Sequence, residues 1–370
     1  MTDPGLIRLL EKISNTRVVG QRIHGGKNAL KGYDKEKIFD FSVCINSFGP
    51  PPNILSDLNK IKIGEYPDPN CTELKQVISE LHKVPVDNIV VGNGSAEIIS
   101  LLFFCFVKAG DKIAALWPSF EEYKYYTKVT KSKFVPIILY EPDFKLDVNW
   151  TIKKINQERP KLFFLCNPVN PTGKYFRQEA IENILKNLPE GTFLILDEAY
   201  VNFVLDSWDS IPLLKKFKNL IILRSLTKDY ALTNLRIGYS LAHSQIIRYL
   251  NSAITCWNVN GLAQQAGIEA LQNKDFLIGS MTLIHKEKKR VEKELEYLGY
   301  QTIPSSTNYY LLKVKNAEQA SQLLFNKNIY VRDCSSYDLP LYLRISIKTP
   351  KENDYLLSSL KELAKEIRTL

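Results

Sequence analysis

The stretch RSLTKDYALTNLRIGY, residues 224–239, decides how the chain reads. It follows an apolar run, Leu220 to Leu223, that stops abruptly at Arg224, so a strand delivers Ser225, Thr227 and Lys228 to a loop at its carboxyl end. Arg236 lies eight residues beyond the lysine. One amine, two hydroxyls and a guanidinium in a single short segment suit a phosphorylated aldehyde. The amine can form an imine while the other groups hold the phosphate, and pyridoxal 5′-phosphate is the common cofactor with both groups. The ordinary alternative is a solvated loop, and the segment alone does not exclude it.

Four stations upstream, each at a strand end or helix start, weigh against that alternative. Gly92-Asn93-Gly94-Ser95-Ala96-Glu97 follows an apolar run at 89–91 and opens a helical pattern. Its glycines let the backbone come close, and the unpaired amides of a helix start attract an anion such as a phosphate. Pro118-Ser119-Phe120 ends the next run and offers an aromatic face to a flat ring, or to the core. In Cys166-Asn167-Pro168-Val169-Asn170-Pro171-Thr172-Gly173, two prolines bracket Asn170 and fix an amide that can donate to a phenolate oxygen. In Leu196-Asp197-Glu198-Ala199-Tyr200, an apolar strand ends in a carboxylate that is costly to bury unpaired. A protonated pyridine nitrogen is a fitting partner for Asp197, since holding that proton makes the ring an electron sink; Tyr200 can reach the phenolic oxygen beside Asn170.

In this combination and order, the sequence resembles the fold-type I pyridoxal-phosphate enzymes of the aspartate aminotransferase superfamily. Within it the chain is similar to the group that contains histidinol-phosphate aminotransferase and L-threonine-O-3-phosphate decarboxylase. The likeness runs from about His24 to the last helix. It implies that Lys228 binds the cofactor aldehyde and shuttles the proton, that Asp197 pairs with the pyridine nitrogen, and that Asn170 and Tyr200 hold the phenolic oxygen. Phe120 would stack on the ring, and Gly94, Ser95, Ala96, Ser225 and Arg236 would form the phosphate site. Tyr66, in Glu65-Tyr66-Pro67-Asp68-Pro69, matches a tyrosine that reaches the phosphate of a neighbouring subunit, which implies a homodimer. Arg344 and Arg332 match residues that grip anionic groups of the substrate, a task for planar bidentate donors.

Signals within the group divide. His24-Gly25-Gly26, Asp40-Phe41-Ser42 and the S-L-T-K form of the lysine segment resemble the decarboxylase, which implies that His24 and Gly25 contact the substrate. Cys44 stands where that enzyme has asparagine, Tyr200 where it has phenylalanine, and the stretch from Arg332 to Pro340 resembles the aminotransferase. The expected reaction is therefore transamination of a phosphorylated or otherwise anionic amino substrate with an oxo acid, and decarboxylation of threonine phosphate is the alternative. A non-catalytic descendant of the fold should have lost Lys228 or Asp197 first, and both are present.

The remaining features set bounds. A chain of 370 residues, 45% hydrophobic, can bury about two domains. Apolar runs at 89–91, 112–116, 134–138, 162–166, 192–196, 220–223 and 237–241 alternate with helical patterns, as in an α/β fold with a mostly parallel seven-stranded sheet between helices. Residues 256–370 read as a smaller α+β domain, 49–255 as the large cofactor domain, and 1–48 as an arm packing with the small one. The net charge of +9 is spread along the chain with no basic block interleaved with aromatics, so nucleic acid is not an expected partner. Six scattered cysteines form no C-x-x-C pair, which argues for reduced thiols in a cytoplasm, and the four histidines lack metal-ligand spacing. The apolar run at 98–107 is too short for a membrane crossing, and the N-terminal pattern around Asp3, Arg8, Glu11 and Lys12 has no apolar targeting core.

Overall fold

The computed structural model describes residues 14, 16, 19, 25–52, 54 and 61–368. The N-terminal pattern around Asp3 to Lys12, and His24, lie outside these residues. A run that is apolar at every position has no edge suited to water, so such runs form short strands packed on both faces. In chain order the strands are β1 (Phe39–Asp40), β2 (Ile89–Asn93), β3 (Lys112–Trp117), β4 (Lys133–Ile138), β5 (Leu162–Cys166), β6 (Phe193–Asp197), β7 (Leu220–Ser225) and β8 (Ile237–Ala242). They are followed by β9 (Thr302–Ile303), β10 (Tyr309–Lys313), β11 (Ile329–Tyr330), β12 (Arg332–Asp333) and β13 (Tyr342–Ser346).

Seven strands form one sheet in the order β2-β8-β7-β6-β5-β3-β4. From β7 to β4 every pairing is parallel, and only β8 runs against its neighbours β7 and β2. Along β5, Phe163 and Leu165 enter one buried cluster while Phe164 and Cys166 enter another, so the pleat serves cores on both sides of the sheet. The reversal of β8 has a chemical result. Its amino end sits beside the carboxyl ends of its neighbours, with Ile237 opposite Asn93 and Gly238 opposite Ser225. Arg236 therefore arrives at the edge where α/β sheets bind ligands.

The helices are fixed at their ends by local chemistry. Asp147 accepts from the Trp150 amide at 2.9 Å to start the helix Val148–Glu158. Thr349 and Glu352 form a capping box, with Pro350 in the first turn, to start Pro350–Glu362. Among the described residues no helix is long and apolar enough to cross a membrane.

A second, antiparallel sheet has the order β12-β13-β10-β9. Beside it β1 pairs in parallel with β11, and Phe41 joins Tyr309, Tyr310 and Leu343 in the core of this smaller unit. Residues 329–333 form two short strands that serve different sheets, β11 with β1 and β12 with β13. The helix Gly261–Gln272 falls within the expected small domain, yet it packs on the helix Thr72–His82, and Ala263, Ala266 and Leu271 lie in the core of the large sheet.

Gly238 lies where the helix Ser95–Phe106 meets the sheet: a Cβ there would stand 2.6 Å from the Ser95 nitrogen and 2.9 Å from the Arg224 carbonyl oxygen. Both are backbone atoms, so relief requires the helix start to move. Gly238→Ala should destabilise the fold by ~1–3 kcal/mol, read as a lower urea midpoint at unchanged slope.

Candidate active site

A cavity of about 330 Å³ opens at the carboxyl edge of the large sheet and is closed by the smaller unit. Asp197 reaches it from the end of β6, Ser225, Thr227 and Lys228 from the end of β7, and Arg236 from the start of β8. Ser95 and Ala96 come from the helix after β2, Phe120 from beyond β3 and Asn170 from the loop after β5. The smaller unit contributes Arg332 and Arg344, and Gly25 and Cys44 come from the N-terminal segment. Gly94 is not itself a wall of the cavity, and Tyr66 is elsewhere.

One part of the cavity is built for an anion. The helix Ser95–Phe106 begins at Gly94, and no side chain caps its first amides. Gly94 has φ +76°, which favours glycine, and a Cβ there would stand 2.6 Å from Arg236 Nη2 and push the guanidinium out of place. The Ser225 and Thr227 hydroxyls lie 2.7 Å apart, and Arg236 Nη1 donates to the Thr233 carbonyl at 3.0 Å. Free amides, two hydroxyls and a guanidinium match a phosphate.

Asp197 is 3% exposed. Its Oδ2 accepts from the Tyr123 hydroxyl at 2.6 Å and its Oδ1 from the Ala199 amide at 3.1 Å. Burial pushes the carboxyl pKa up, and the Tyr123 hydrogen bond opposes that rise. Lys228 is pushed down to about 8, chiefly by desolvation, with Arg344 and Arg236 adding repulsion that Cys44 and Asp197 partly offset. A neutral amine is therefore available near neutral pH, as a nucleophile or base requires.

Arg332 and Arg344 stand opposite each other in the β12–β13 register, so both project from one face. Arg344 donates through Nη1 to Asn170 Oδ1 and through Nη2 to the Ser42 carbonyl at 2.6 Å, while its Nε has no partner. This turns the Asn170 carbonyl toward the arginine and frees its amide hydrogens for a ligand. Arg332 donates to Glu121 at 3.1 Å and Ser336 at 2.9 Å and lies over the Tyr337 ring. Tyr200 is buried edge-on to Tyr309, with centroids 5.2 Å apart.

The residues present fit a phosphorylated pyridine aldehyde: an uncapped helix start facing a guanidinium, a buried carboxylate held in place, and an amine of lowered basicity in the same space. Tyr66 lies outside this cavity; it is 80% exposed and stacks on Trp257 at 4.4 Å in a separate groove. Sequence reading missed Tyr123, although its spacing of three from Phe120 at a helix start places the two on one face. It also gave no role to Asn46, whose partners lie far away in the chain. Among the described residues no group of three or more His, Cys, Asp or Glu side chains could hold a metal ion.

A sequence profile of the family described as aminotransferase class I and II matches residues 36–360. A histidinol-phosphate aminotransferase of Thermoanaerobacter sp. (strain X514) is 37% identical over 94% of this chain and 98% of its own length. The histidinol-phosphate aminotransferase of Sinorhizobium meliloti, solved in complex with pyridoxal-5′-phosphate, superposes with a TM-score of 0.81 at 25% identity, covering 88% of this chain and 90% of that one. L-threonine-O-3-phosphate decarboxylase from Porphyromonas gingivalis shares the fold, with a TM-score of 0.76 at 24% identity over 88% of this chain and 99% of that one.

Tyr123→Phe removes the hydroxyl that holds Asp197 and leaves the ring stack on Phe164 in place. Affinity for pyridoxal phosphate should fall roughly tenfold or more, as for the loss of one hydrogen bond to a charged group, measured by fluorescence titration of the cofactor-free protein.

Proposed function

The chain belongs to the class I and II aminotransferases, pyridoxal-phosphate-dependent transferases, and from that premise we propose that it moves the amino group of histidinol phosphate to an oxo acid such as 2-oxoglutarate. The observation that carries this reading is that Lys228 and Asp197 line the same cavity as two arginines that share a strand register. Similarity over nearly the full length of a histidinol-phosphate aminotransferase supports the choice of substrate.

Ser95, Ser225, Thr227 and Arg236 would hold the cofactor phosphate, Asp197 the ring nitrogen, Asn170 and Tyr200 the phenolic oxygen, and Phe120 one face of the ring. When bound, the cofactor supplies an aldehyde that exchanges amino groups and a protonated ring that withdraws electrons from the substrate α-carbon. Lys228 Nζ, neutral above about pH 8, accepts the proton from that carbon and returns it on the far side of the exchange. Asp197, its orientation fixed by Tyr123, would pair with the ring nitrogen. Arg344 and Arg332 hold the anionic end of the substrate and so set which α-carbon bond is presented. The smaller unit closes over the cavity and limits water around these charges.

Tyr66 does not line the cavity of its own chain, so a site that uses it takes it from a second copy. This supports a homodimer with shared sites. Described cysteines without a disulfide fit a reducing cytoplasm. Threonine-phosphate decarboxylation stays as a second reading because Gly25, from the His24-Gly25-Gly26 segment, is a wall of the cavity.

The test is to incubate the protein with histidinol phosphate or with phosphothreonine, each with and without 2-oxoglutarate. Glutamate should form only with histidinol phosphate and the oxo acid together. Release of CO₂ from phosphothreonine without an oxo acid would overturn the proposal. Lys228→Ala should lower turnover by at least ~10³-fold without loss of fold, checked by circular dichroism. Sedimentation should give a dimer, and mixing Tyr66→Phe with Lys228→Ala subunits should restore a fraction of the sites.

A further inference from the structure

Residues 41–47 run between the two groups on which the reaction depends, and they are bonded to both sides. Toward the smaller unit, the Phe41 carbonyl accepts from the Ser346 amide at 3.1 Å, the Ser42 carbonyl from Arg344 Nη2 at 2.6 Å, and the Ile45 carbonyl from Asn308 at 3.0 Å. The Ser47 hydroxyl donates to the Ile347 carbonyl at 3.2 Å. Toward the large unit one residue makes the attachment. The Asn46 amide donates to the Lys228 carbonyl at 2.8 Å, and its side-chain Nδ2 donates to the Asp229 carbonyl at 2.9 Å. The same Nδ2 donates to Ser280 Oγ at 2.9 Å, and Oδ1 accepts from the Phe48 amide at 3.0 Å. Asn46 is 1% exposed, so both amide hydrogens and the carbonyl are used within the protein.

We propose that residues 42–46 form a fixed spacer that sets the separation of Arg344 from Lys228, with Asn46 as the positioning residue that pins the lysine-bearing turn. The inference rests on Lys228 being the reactive amine. Ser42 and Asn46 are four Cα steps apart, at most about 14 Å, and the segment is tied to Arg344 at one end and to the lysine turn at the other, so it leaves little slack. Two successive carbonyls of the turn, at Lys228 and Asp229, are held by one residue from a distant part of the chain. The neighbouring residue Cys44 is 1% exposed and lines the cavity, so the spacer also excludes water from the amine. Loss of the Asn46 side chain frees the Asp229 carbonyl and lets the turn hydrate. Arg344 keeps its own anchors to Asn170 and Ser42, so the substrate grip is retained while the amine drifts.

The experiment follows acylation of Lys228 by acetic anhydride against pH in the full chain freed of cofactor, read by peptide mass spectrometry, beside kinetics of the holoenzyme. Lys228 is faced by Cys44, Arg344, Arg236 and Asp197, and its midpoint in the unaltered protein should lie near 8. In Asn46→Ala and in the isosteric Asn46→Asp the midpoint should rise by about one unit toward the free-lysine value of ~10.4. The kcat should fall ~10- to 100-fold, with KM for the amino substrate changing less than about threefold. Ser280→Ala, which leaves both turn carbonyls held, should match the unaltered protein in each measurement. If Asn46→Ala does not fold, the split between kcat and KM in Asn46→Asp decides, because its new carboxylate raises the lysine midpoint by charge alone. An unchanged kcat in Asn46→Asp, or an equal shift in Ser280→Ala, would overturn the spacer while leaving the functional reading intact. A Lys228 that labels like a surface lysine in the unaltered protein would remove the functional reading itself.

Discussion

Adjacency of β6 and β7 is the constraint on which the site depends. Parallel pairing in register brings Asp197 opposite Leu223, so a strand-end carboxylate lies next to the strand that carries the lysine. Neither group would be stable alone in that place, since a buried charge without compensation shifts its pKa until it is neutral. Burial, with repulsion from Arg344 and Arg236, makes the amine easy to discharge, while Tyr123 holds the carboxylate. The sheet order is therefore an electrostatic arrangement as well as a packing one.

The reversed strand β8 completes it. Were β8 parallel like its neighbours, Arg236 would be left at the far edge of the sheet, about 20 Å away for a six-residue strand. Running it backwards returns the chain to the ligand edge, and the two glycines at 94 and 238 let the helix start and the guanidinium crowd together there. A phosphate-sized anion is then met by amides and by formal positive charge at once.

Much of this could be read from the chain alone, because the relevant signals are local. The large-sheet strands are nearly uninterrupted apolar runs, and Asp197, Lys228 and Asn170 each sit where such a run, or the loop after it, turns polar. What could not be read depends on distant pairing. β1 and β9 are two-residue strands with no pattern of their own, and the break between β11 and β12 reflects two different partners for neighbouring residues. Asn46 looks like any polar residue in a loop until the fold brings Lys228 and Asp229 to it. The helix Gly261–Gln272 was assigned by composition, whereas its small residues are what allow close packing on the large unit.

The pairing of Arg332 with Arg344 carries one more consequence. Side chains on a strand alternate faces with a period of two, so the loss or gain of a single residue ahead of β13 would turn Arg344 away from the cavity and bring an apolar neighbour into it. Exchange of side chains at these two positions leaves the backbone frame untouched. Evolution of new substrates on this scaffold is thus expected to proceed by substitution within a fixed strand length, with insertions and deletions confined to the loops outside the two-stranded seam.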